Sequence, residues 1–436
     1  MKVEVINFGC RLNAFESEVI RKQLDSIPDS GLDSGQPLLV FNSCAVTAEA
    51  ERQLKQAIRK ARRREPNAKI IVTGCAAQID PEHYSAMAEV DRVLGNIEKL
   101  SVESYLFGTA TAEPARMQVA DIMTVTEIAP HLIAGFGSRS RAFIEVQQGC
   151  DHRCSFCIIP FGRGNSRSVA VGAVVEQIRQ LVAGGCLEVV LTGVDLTSWG
   201  GDLPGKPRLG ELVQRILRLV PELPRLRLSS LDPSEFDESL WQVIASEPRL
   251  MPHLHLSIQS GSDLILKRMK RRHLAGDIHA VVARARSLRP DMVFGADFIA
   301  GFPTESEADF TASLELAKAV GLTFLHVFPY SIRPGTVAAR MPQLPPAVIS
   351  DRARQLRQVG DGLRSTYFAS RMGTIETVLL EEPQGGDFTG HSDYFSHIRV
   401  TAPFNHNFGA GNILKARVTG YSETTLHATL IQQSEF

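Results

Sequence analysis

Gly149-Cys-Asp-His-Arg-Cys-Ser-Phe-Cys-Ile158 places Cys150, Cys154 and Cys157 within eight residues. This Cys-x-x-x-Cys-x-x-Cys spacing offers three thiolates from one short loop, with no fourth cysteine nearby. A four-iron cluster held by three thiolates keeps one iron without a protein ligand. That iron is open to a small molecule, such as the amino and carboxylate groups of S-adenosylmethionine. Structural zinc is the competing reading, but it normally closes with four ligands in two pairs. His152 lies inside the loop with nothing paired to it downstream. The loop reads as a reaction centre.

Outward from the loop, strand and helix patterns alternate. Candidate strands are Ala142–Val146, Glu188–Leu191, Arg225–Leu228, His253–Ile258, Val293–Ile299 and Phe324–Phe328. Helical patterns lie between them near 170–183, 209–219, 235–246, 275–288 and 306–319, and a polar helix follows at about 346–370. Six such units predict an α/β fold, a partial (β/α)6 barrel over residues 139–370. Its working residues belong at the strand carboxyl ends, and the cysteine loop follows the first strand. Small polar residues recur at the other ends: Thr192 and Asp195, Ser229, Gln259 and Ser260, Asp297, and Tyr330. Singly, a strand-end Ser or Thr more often caps the next helix. Ringed around an iron–sulfur loop, they read as a pocket for the ribose and amino acid moieties of a cofactor.

Three more cysteines follow one pattern near the amino terminus. Cys10 follows Val3-Glu-Val-Ile-Asn-Phe8, Cys44 follows Leu38-Leu-Val-Phe-Asn42, and Cys75 follows Ile70-Ile-Val-Thr73. Each leads towards a helix, the third after the cap Asp80. Strand–helix alternation predicts a parallel sheet over residues 1–105, and in such sheets the strand carboxyl ends share one edge. Three cysteines at equivalent turns would meet there, as a second three-cysteine cluster. Cys186 fits neither set and reads as a packed thiol. Residues 106–138 read as a connector. Residues 372–436, with short strands between Gly and Asn turns, read as a small all-β barrel.

Composition excludes several classes. The 436 residues are 44% hydrophobic and 22% charged with a formal net charge of -1, ordinary for a soluble globular chain. Any nucleic-acid contact must therefore come from local patches. No apolar run approaches a membrane span and no signal peptide opens the chain, so no membrane partner and a cytoplasmic location are expected. Seven cysteines in so long a chain are no disulfide scaffold. One basic run contains Arg52, Lys55, Arg59, Lys60, Arg62, Arg63 and Arg64, and a second contains Lys270 and Arg271. Such runs are usually solvated faces; two of them near the expected cluster edges favour a polyanionic substrate. The β tail argues the other way, with Arg399, Lys415 and Arg417 against seven carboxylates.

Together these segments resemble the methylthiotransferase branch of the radical S-adenosylmethionine enzymes over nearly the whole chain. That family joins an amino-terminal three-cysteine domain, a radical barrel and a small carboxy-terminal β domain called TRAM, in that order. Phe8-Gly-Cys10-Arg-Leu-Asn13, Asn42-Ser-Cys44-Ala-Val-Thr47 and Thr73-Gly-Cys75-Ala-Ala-Gln78 look like its three cluster motifs. Gly149-Cys-Asp-His-Arg-Cys-Ser-Phe-Cys-Ile-Ile-Pro160, followed by Arg163-Gly164, looks like its radical-cluster loop. The stretches from Cys10 to Glu18 and from Cys44 to Thr47 are most similar to the branch acting on threonylcarbamoyladenosine in tRNA. The isopentenyladenosine branch typically reads Cys-Gln-Met-Asn and Cys-Ser-Ile-Arg at these places, and the ribosomal-protein branch Cys-Pro-Lys-Asn and Cys-Gly-Phe.

The resemblance implies that a methylthio group replaces the C2 hydrogen of adenosine 37, beside the anticodon. It implies two [4Fe-4S] clusters and S-adenosylmethionine. Cys150, Cys154 and Cys157 would hold the cluster that cleaves S-adenosylmethionine to a 5′-deoxyadenosyl radical. Cys10, Cys44 and Cys75 would hold an auxiliary cluster carrying the sulfur. Implied partners are the tRNA anticodon loop, an electron donor such as flavodoxin or ferredoxin, and the iron–sulfur assembly machinery. Three other readings stay open: methylthiolation of isopentenyladenosine 37 in tRNA, methylthiolation of a ribosomal-protein aspartate, and a non-catalytic iron–sulfur RNA-binding protein.

Overall fold

Leu38-Leu-Val-Phe41 and Ile70-Ile-Val72 are uninterrupted apolar runs, the pattern of parallel strands covered on both faces. The computed structural model describes residues 3–25, 36–107, 115–126, 140–401 and 409–431. It divides into two units, each described by itself. The first takes Met1–Ile133, Gln147–Val169 and Ser331–Arg340; the second takes Ala134–Val146, Ala170–Tyr330 and Met341–Phe436.

In the first unit the two apolar runs lie in a parallel sheet. Its elements are β1 (Val3–Asn7), α1 (Arg11–Asp25), β2 (Leu38–Ser43), α2 (Ala48–Arg64), β3 (Lys69–Gly74), α3 (Cys75–Ile79), α4 (Pro81–Ser85), β4 (Arg92–Leu94) and β5 (Met117–Gln118), with strand order β1-β2-β3-β4-β5. Leu39, Phe41, Ile70 and Val72 pack with Leu54, Ile58 and Ala61 of α2. Val5, Leu38, Val40 and Ile71 pack with Ile20 and Leu24 of α1. Alternate residues of one strand thus serve two cores. Thr47 starts α2 by accepting from the Ala50 amide at 3.2 Å, and Asp80 starts α4 by accepting from His83. β5 falls within the stretch read as connector. Its pairing with β4, Val93 opposite Met117, makes that part an element of the sheet. Two residues carry no periodicity to read. The same unit takes up the cysteine loop, which follows β6 (Arg141–Gln148) and leads to α5 (Ile159–Arg163) and β7 (Arg167–Ser168).

The second unit carries the barrel. After the first residues of β6 come α6 (Val171–Ala183), β8 (Glu188–Gly193), α7 (Leu209–Leu219), β9 (Arg225–Leu228), β10 (Ser230–Leu231), α8 (Glu238–Ser246) and β11 (His253–Gln259). Then follow α9 (Asp263–Arg268), α10 (Ala275–Leu288), β12 (Val293–Ala300), α11 (Glu307–Ala319), β13 (Phe324–Pro329) and α12 (Pro346–Ser370). β9 and β10 are one strand broken at Ser229: β9 pairs with β8, and β10 with β11, both in parallel. The α7 face shows why such helices form. Leu209, Leu212, Val213 and Ile216 are buried at helical spacing along one face.

β14 (Ile375–Gln384), β15 (Asp387–Ser392), β16 (His397–Thr401), β17 (Ile413–Tyr421) and β18 (Leu426–Leu430) close a barrel in the order β14-β15-β16-β18-β17. Val378, Leu380, Ile398, Val400 and Val418 fill it together with Phe368 of α12. The turn between β15 and β16 covers the amino ends of the (β/α) strands. Phe395, at φ +66°, stacks on His253 at 4.8 Å and on His391 at 5.1 Å. Arg227 donates to the Ser392 and Asp393 carbonyls, and Arg225 pairs with the Asp393 carboxylate. Among the described residues, no helix is long and apolar enough to cross a membrane.

Candidate active site

Cys10, Cys44 and Cys75 follow the carboxyl ends of three adjacent strands. The pairing of Asn7 with Asn42 and of Ser43 with Gly74 sets those ends side by side. Two glycines let the backbone close up there. Gly9 has φ +126°, and a Cβ on it would lie 2.8 Å from the Cys44 Cβ and 3.2 Å from its Sγ. Gly74, at φ +93°, turns β3 straight into α3, whose first residue is Cys75. Cys44 and Cys75 are buried, and Cys10 is exposed. Burial above all, and then the neighbouring Cys75, push the Cys44 thiol up to about 12. A sulfur so placed ionises only against a strong electrophile, which suits a metal ligand rather than a free nucleophile.

A buried charge network lies behind these thiols. Arg163 donates to both Glu16 oxygens at 2.9 and 3.1 Å and to Asn13 Oδ1 at 2.7 Å. Lys99 Nζ reaches Glu16 Oε2 at 2.7 Å and Asn96 Oδ1 at 2.6 Å. Burial alone would raise the Glu16 carboxyl, but Arg163 and Lys99 hold it well below the usual carboxylate range. The Asn13 amide donates to the Phe8 and Ser43 carbonyls, tying the Cys10 turn to the Cys44 turn. Arg333 donates to the Ala45 carbonyl at 3.1 Å and pairs with Glu51, closing over the residue after Cys44.

The Cys150 loop is clasped by its own backbone. Gly149 has φ +72°, and a Cβ there would fall 1.9 Å from the Asn165 carbonyl oxygen. The Cys150 amide donates to Gly164 O at 3.1 Å, and Arg153 donates to Cys150 O at 2.6 Å and to Asn165 Oδ1 at 2.7 Å. Cys150, Cys154 and Cys157 are half-buried. Three partly open sulfurs on a loop held by main-chain bonds fit a cluster that must meet a second molecule. A cleft of about 470 Å3 is lined by Gln78 and Ile79 beyond Cys75, by Ile158 and Phe161 beyond Cys157, and by Pro334.

The pocket residues lie in the second unit, at or near strand carboxyl ends. Ser229 interrupts the broken strand, and its buried hydroxyl has no hydrogen-bond partner among the described residues. Gln259 ends β11 at φ +70°, a conformation that concentrates at ligand sites. The others are held internally. Thr192 donates to Ile144 O at 2.9 Å, and Asp195 accepts from Ser198 at 2.7 Å. Ser260 accepts from the Ser262 amide, and the Tyr330 ring packs edge-on against Phe302. Asp297 lies 2.9 Å from His255 Nε2 and 3.4 Å from His326 Nδ1. Against the effect of burial, those imidazoles hold its carboxyl well below the usual range.

Residues 144–317 match the Radical SAM superfamily, and residues 2–95 match the Uncharacterized protein family UPF0004. The first match covers the Cys150 loop, so S-adenosylmethionine and a [4Fe-4S] cluster are the cofactors of that part. The threonylcarbamoyladenosine tRNA methylthiotransferase MtaB of Rickettsia prowazekii is 46% identical over 99% of this chain and 98% of its own length. The chain belongs to the methylthiotransferase family. The tRNA-2-methylthio-N(6)-dimethylallyladenosine synthase of Cereibacter sphaeroides is 32% identical over 98% of this chain and 97% of its own. Whole-length architecture is therefore common to both branches. The radical S-adenosylmethionine methyltransferase TsrM of Kitasatospora setae, solved with tryptophan and aza-SAM, shares the fold at a TM-score of 0.58. It is 14% identical, covering 83% of this chain and 89% of that one.

For a methylthiotransferase, the basic residues are unevenly placed. Arg52 pairs with Glu49, Arg59 lies 3.8 Å from Glu89, and Lys55 approaches the Tyr84 ring at 6.0 Å. Lys60, Arg63 and Lys270 are exposed. Arg62 is turned inward, donating to Glu89, Pro66 and Ala68 carbonyls and to Asp91. Arg271 likewise bonds Asp232 and the Ser257 carbonyl. These two guanidinium groups hold the fold together. Sequence reasoning singled out neither Glu16 nor Lys99, nor the imidazoles beside Asp297. Asn13 and Glu16 do stand in the Cys10 motif, three and six residues on, where helical spacing could have flagged them. Lys99 stands in a short turn without periodicity.

Proposed function

We propose that this protein is a radical S-adenosylmethionine methylthiotransferase that installs a methylthio group at C2 of N6-threonylcarbamoyladenosine 37 in tRNA. The observation that carries the reading is the gathering of both cysteine triplets in one unit of a chain 46% identical, over its whole length, to a named threonylcarbamoyladenosine methylthiotransferase. Cys150, Cys154 and Cys157 would hold one [4Fe-4S] cluster, and Cys10, Cys44 and Cys75 a second. When bound, these clusters and S-adenosylmethionine supply the carbon radical, the sulfur and the methyl group that side chains alone do not provide.

The chain's own residues bind, orient and exclude water. Gly9 and Gly74 let three strand ends converge on one metal group, and the Asn13 amide fixes two of those ends. Ser229 and Gln259 offer polar contacts to S-adenosylmethionine; Thr192, Asp195, Ser260, Asp297 and Tyr330 shape the strand ends around them. Arg52, Lys55, Arg59, Lys60 and Arg63 in the first unit, and Lys270 in the second, offer contacts for tRNA phosphates. An outside one-electron donor such as flavodoxin or ferredoxin, loading by iron–sulfur assembly machinery, and a cytoplasmic site of action complete the reading. So does the division into an amino-terminal domain (1–105), a connector (106–138), a radical barrel (139–370) and a TRAM barrel (372–436).

Nucleoside mass spectrometry on total tRNA from cells with and without the gene tests it. Loss of 2-methylthio-threonylcarbamoyladenosine, with its unthiolated precursor accumulating, is the expected result. Loss of the isopentenyl counterpart instead would move the protein to the sister branch. Unchanged tRNA nucleosides would sink the reading.

A further inference from the structure

Glu16, Lys99 and Arg163 are 1%, 0% and 2% exposed. One carboxylate faces two cations, so this triad holds a net positive charge out of water. Arg163 and Lys99 also donate to the side-chain oxygens of Asn13 and Asn96, yet hydrogen bonds to neutral amides do not cancel a charge. A lone buried charge is strongly destabilising unless a counter-ion sits near it. Asn13 Oδ1, which accepts from Arg163 at 2.7 Å, also lies 3.6 Å from Cys10 Sγ, so the cation backs directly onto the cysteine edge. The backbone is pressed close as well: a Cβ on Gly162, the residue before Arg163, would meet the Cys75 Cβ at 3.2 Å. The Asn96 amide, which orients Lys99 through its oxygen, also donates to the Gly162 carbonyl and lies 4.0 Å from Cys75 Sγ.

We propose that Arg163 and Lys99, sharing the single carboxylate of Glu16, form a buried cationic cradle for the iron–sulfur cluster held by Cys10, Cys44 and Cys75. Arg163 is the positioning residue that joins the two cysteine-bearing segments. The proposal rests on the two-cluster reading above. Three thiolates outweigh the positive charge of an oxidised four-iron core, so the ligated group is an anion and becomes more so on reduction. A fixed cation behind it favours the reduced form and any anionic sulfur species on the open iron. It also explains why a cation borne by the segment after Cys157 reaches back to the helix after Cys10.

The test uses the full chain with Cys150, Cys154 and Cys157 all changed to Ala, purified without oxygen, so that only the second cluster remains. Iron analysis and an EPR-monitored redox titration are the readouts. Glu16→Gln and Lys99→Met alter the buried charge in opposite senses. The cradle requires the midpoint potential to rise in Glu16→Gln and to fall in Lys99→Met. Arg163→Gln should lower it too, and Arg163→Lys should bring it back towards the parent. Should Arg163→Gln fail to fold, the first pair still decides. Shifts of one sign in both, or none, with iron retained, overturn the cradle while leaving the second cluster standing. A parent without iron sinks the two-cluster reading itself, and the cradle with it.

Discussion

Cys44 shows how a side chain's role follows from its surroundings. Its thiol is buried, lifted to about 12 and flanked by two other cysteines at the same sheet edge. Replacing it should remove sulfur insertion without touching cleavage of S-adenosylmethionine. Cys44→Ala is expected to keep reductive formation of 5′-deoxyadenosine and to lose methylthiolated product; Cys154→Ala should lose both. Methylthiolation undiminished in Cys44→Ala would refute the assignment. Ser229 gives a second check. A buried hydroxyl without a partner is costly unless a ligand completes it. Ser229→Ala should weaken S-adenosylmethionine binding by up to about tenfold, the worth of one hydrogen bond, with the melting temperature unchanged. The meeting of Cys10, Cys44 and Cys75 at one sheet edge was legible in the sequence, because strand-end spacing repeats. Glu16 and Lys99 were not, because charge in a sequence reads as solvent-facing until packing shows otherwise.

Elements carried the fold reading well where burial is continuous. The barrel strands carry apolar residues in runs or in strict alternation, and their helices keep a clear stripe, so each was visible within a residue or two at most ends. Several short features escaped, β4, β7, α5 and α9 among them, and three are instructive. β5 is two residues long, the break at Ser229 depends on which neighbour each half pairs with, and α3 begins on the cysteine itself. Gly74 lies at that strand-to-helix turn. A Cβ there would fall 2.4 Å from the Ser43 carbonyl oxygen, besides straining a φ of +93°. Gly74→Ala should therefore destabilise by about 1–3 kcal/mol and lower iron retention at Cys10, Cys44 and Cys75, both measurable by unfolding and iron analysis. On the proposed reading, helix α2 divides one basic run between tRNA contact and the fold. The Lys60→Glu, Arg63→Glu double variant should weaken tRNA binding and flatten its salt dependence by about one to two units of slope. Arg62→Ala should instead lower stability by about 1–3 kcal/mol, since three buried or half-buried acceptors lose their donor. Equal effects of both on tRNA binding alone would contradict this division.

At the scale of the whole molecule, charge counted along the chain misleads. The carboxy-terminal barrel looked too acidic for RNA, yet Glu376 pairs with Arg371, Glu381 lies 3.4 Å from Arg141, and Asp393 pairs with Arg225. Those three arginines stand outside residues 372–436, so neutralisation across the second unit was invisible to a count. Glu188 anchors the same region, 2.9 Å from Arg227. Burial would raise its carboxyl, but Arg227, Arg141 and Arg225 hold it at about 2. A depressed carboxyl contributes fully above its ordinary range and loses that contribution as pH falls through the folded value. About 3 kcal/mol should therefore drain between roughly pH 4.5 and 2. Urea unfolding across that window should show a shallower slope in Glu188→Gln than in the wild type, with Glu16 and Asp297 still contributing in both. Finally, the first unit is stitched from three stretches of chain, and Arg333 grips the Ala45 carbonyl from 288 positions downstream. A ribosome adding about 5–20 residues per second needs on the order of 15–60 s to travel that far. On the two-cluster reading, the nascent chain displays six cysteines well before Arg333 can close over them, so iron delivery is expected to follow completed synthesis. Arrested at residue 300, the polypeptide should emerge unable to keep iron at Cys10, Cys44 and Cys75 and open to oxidation there.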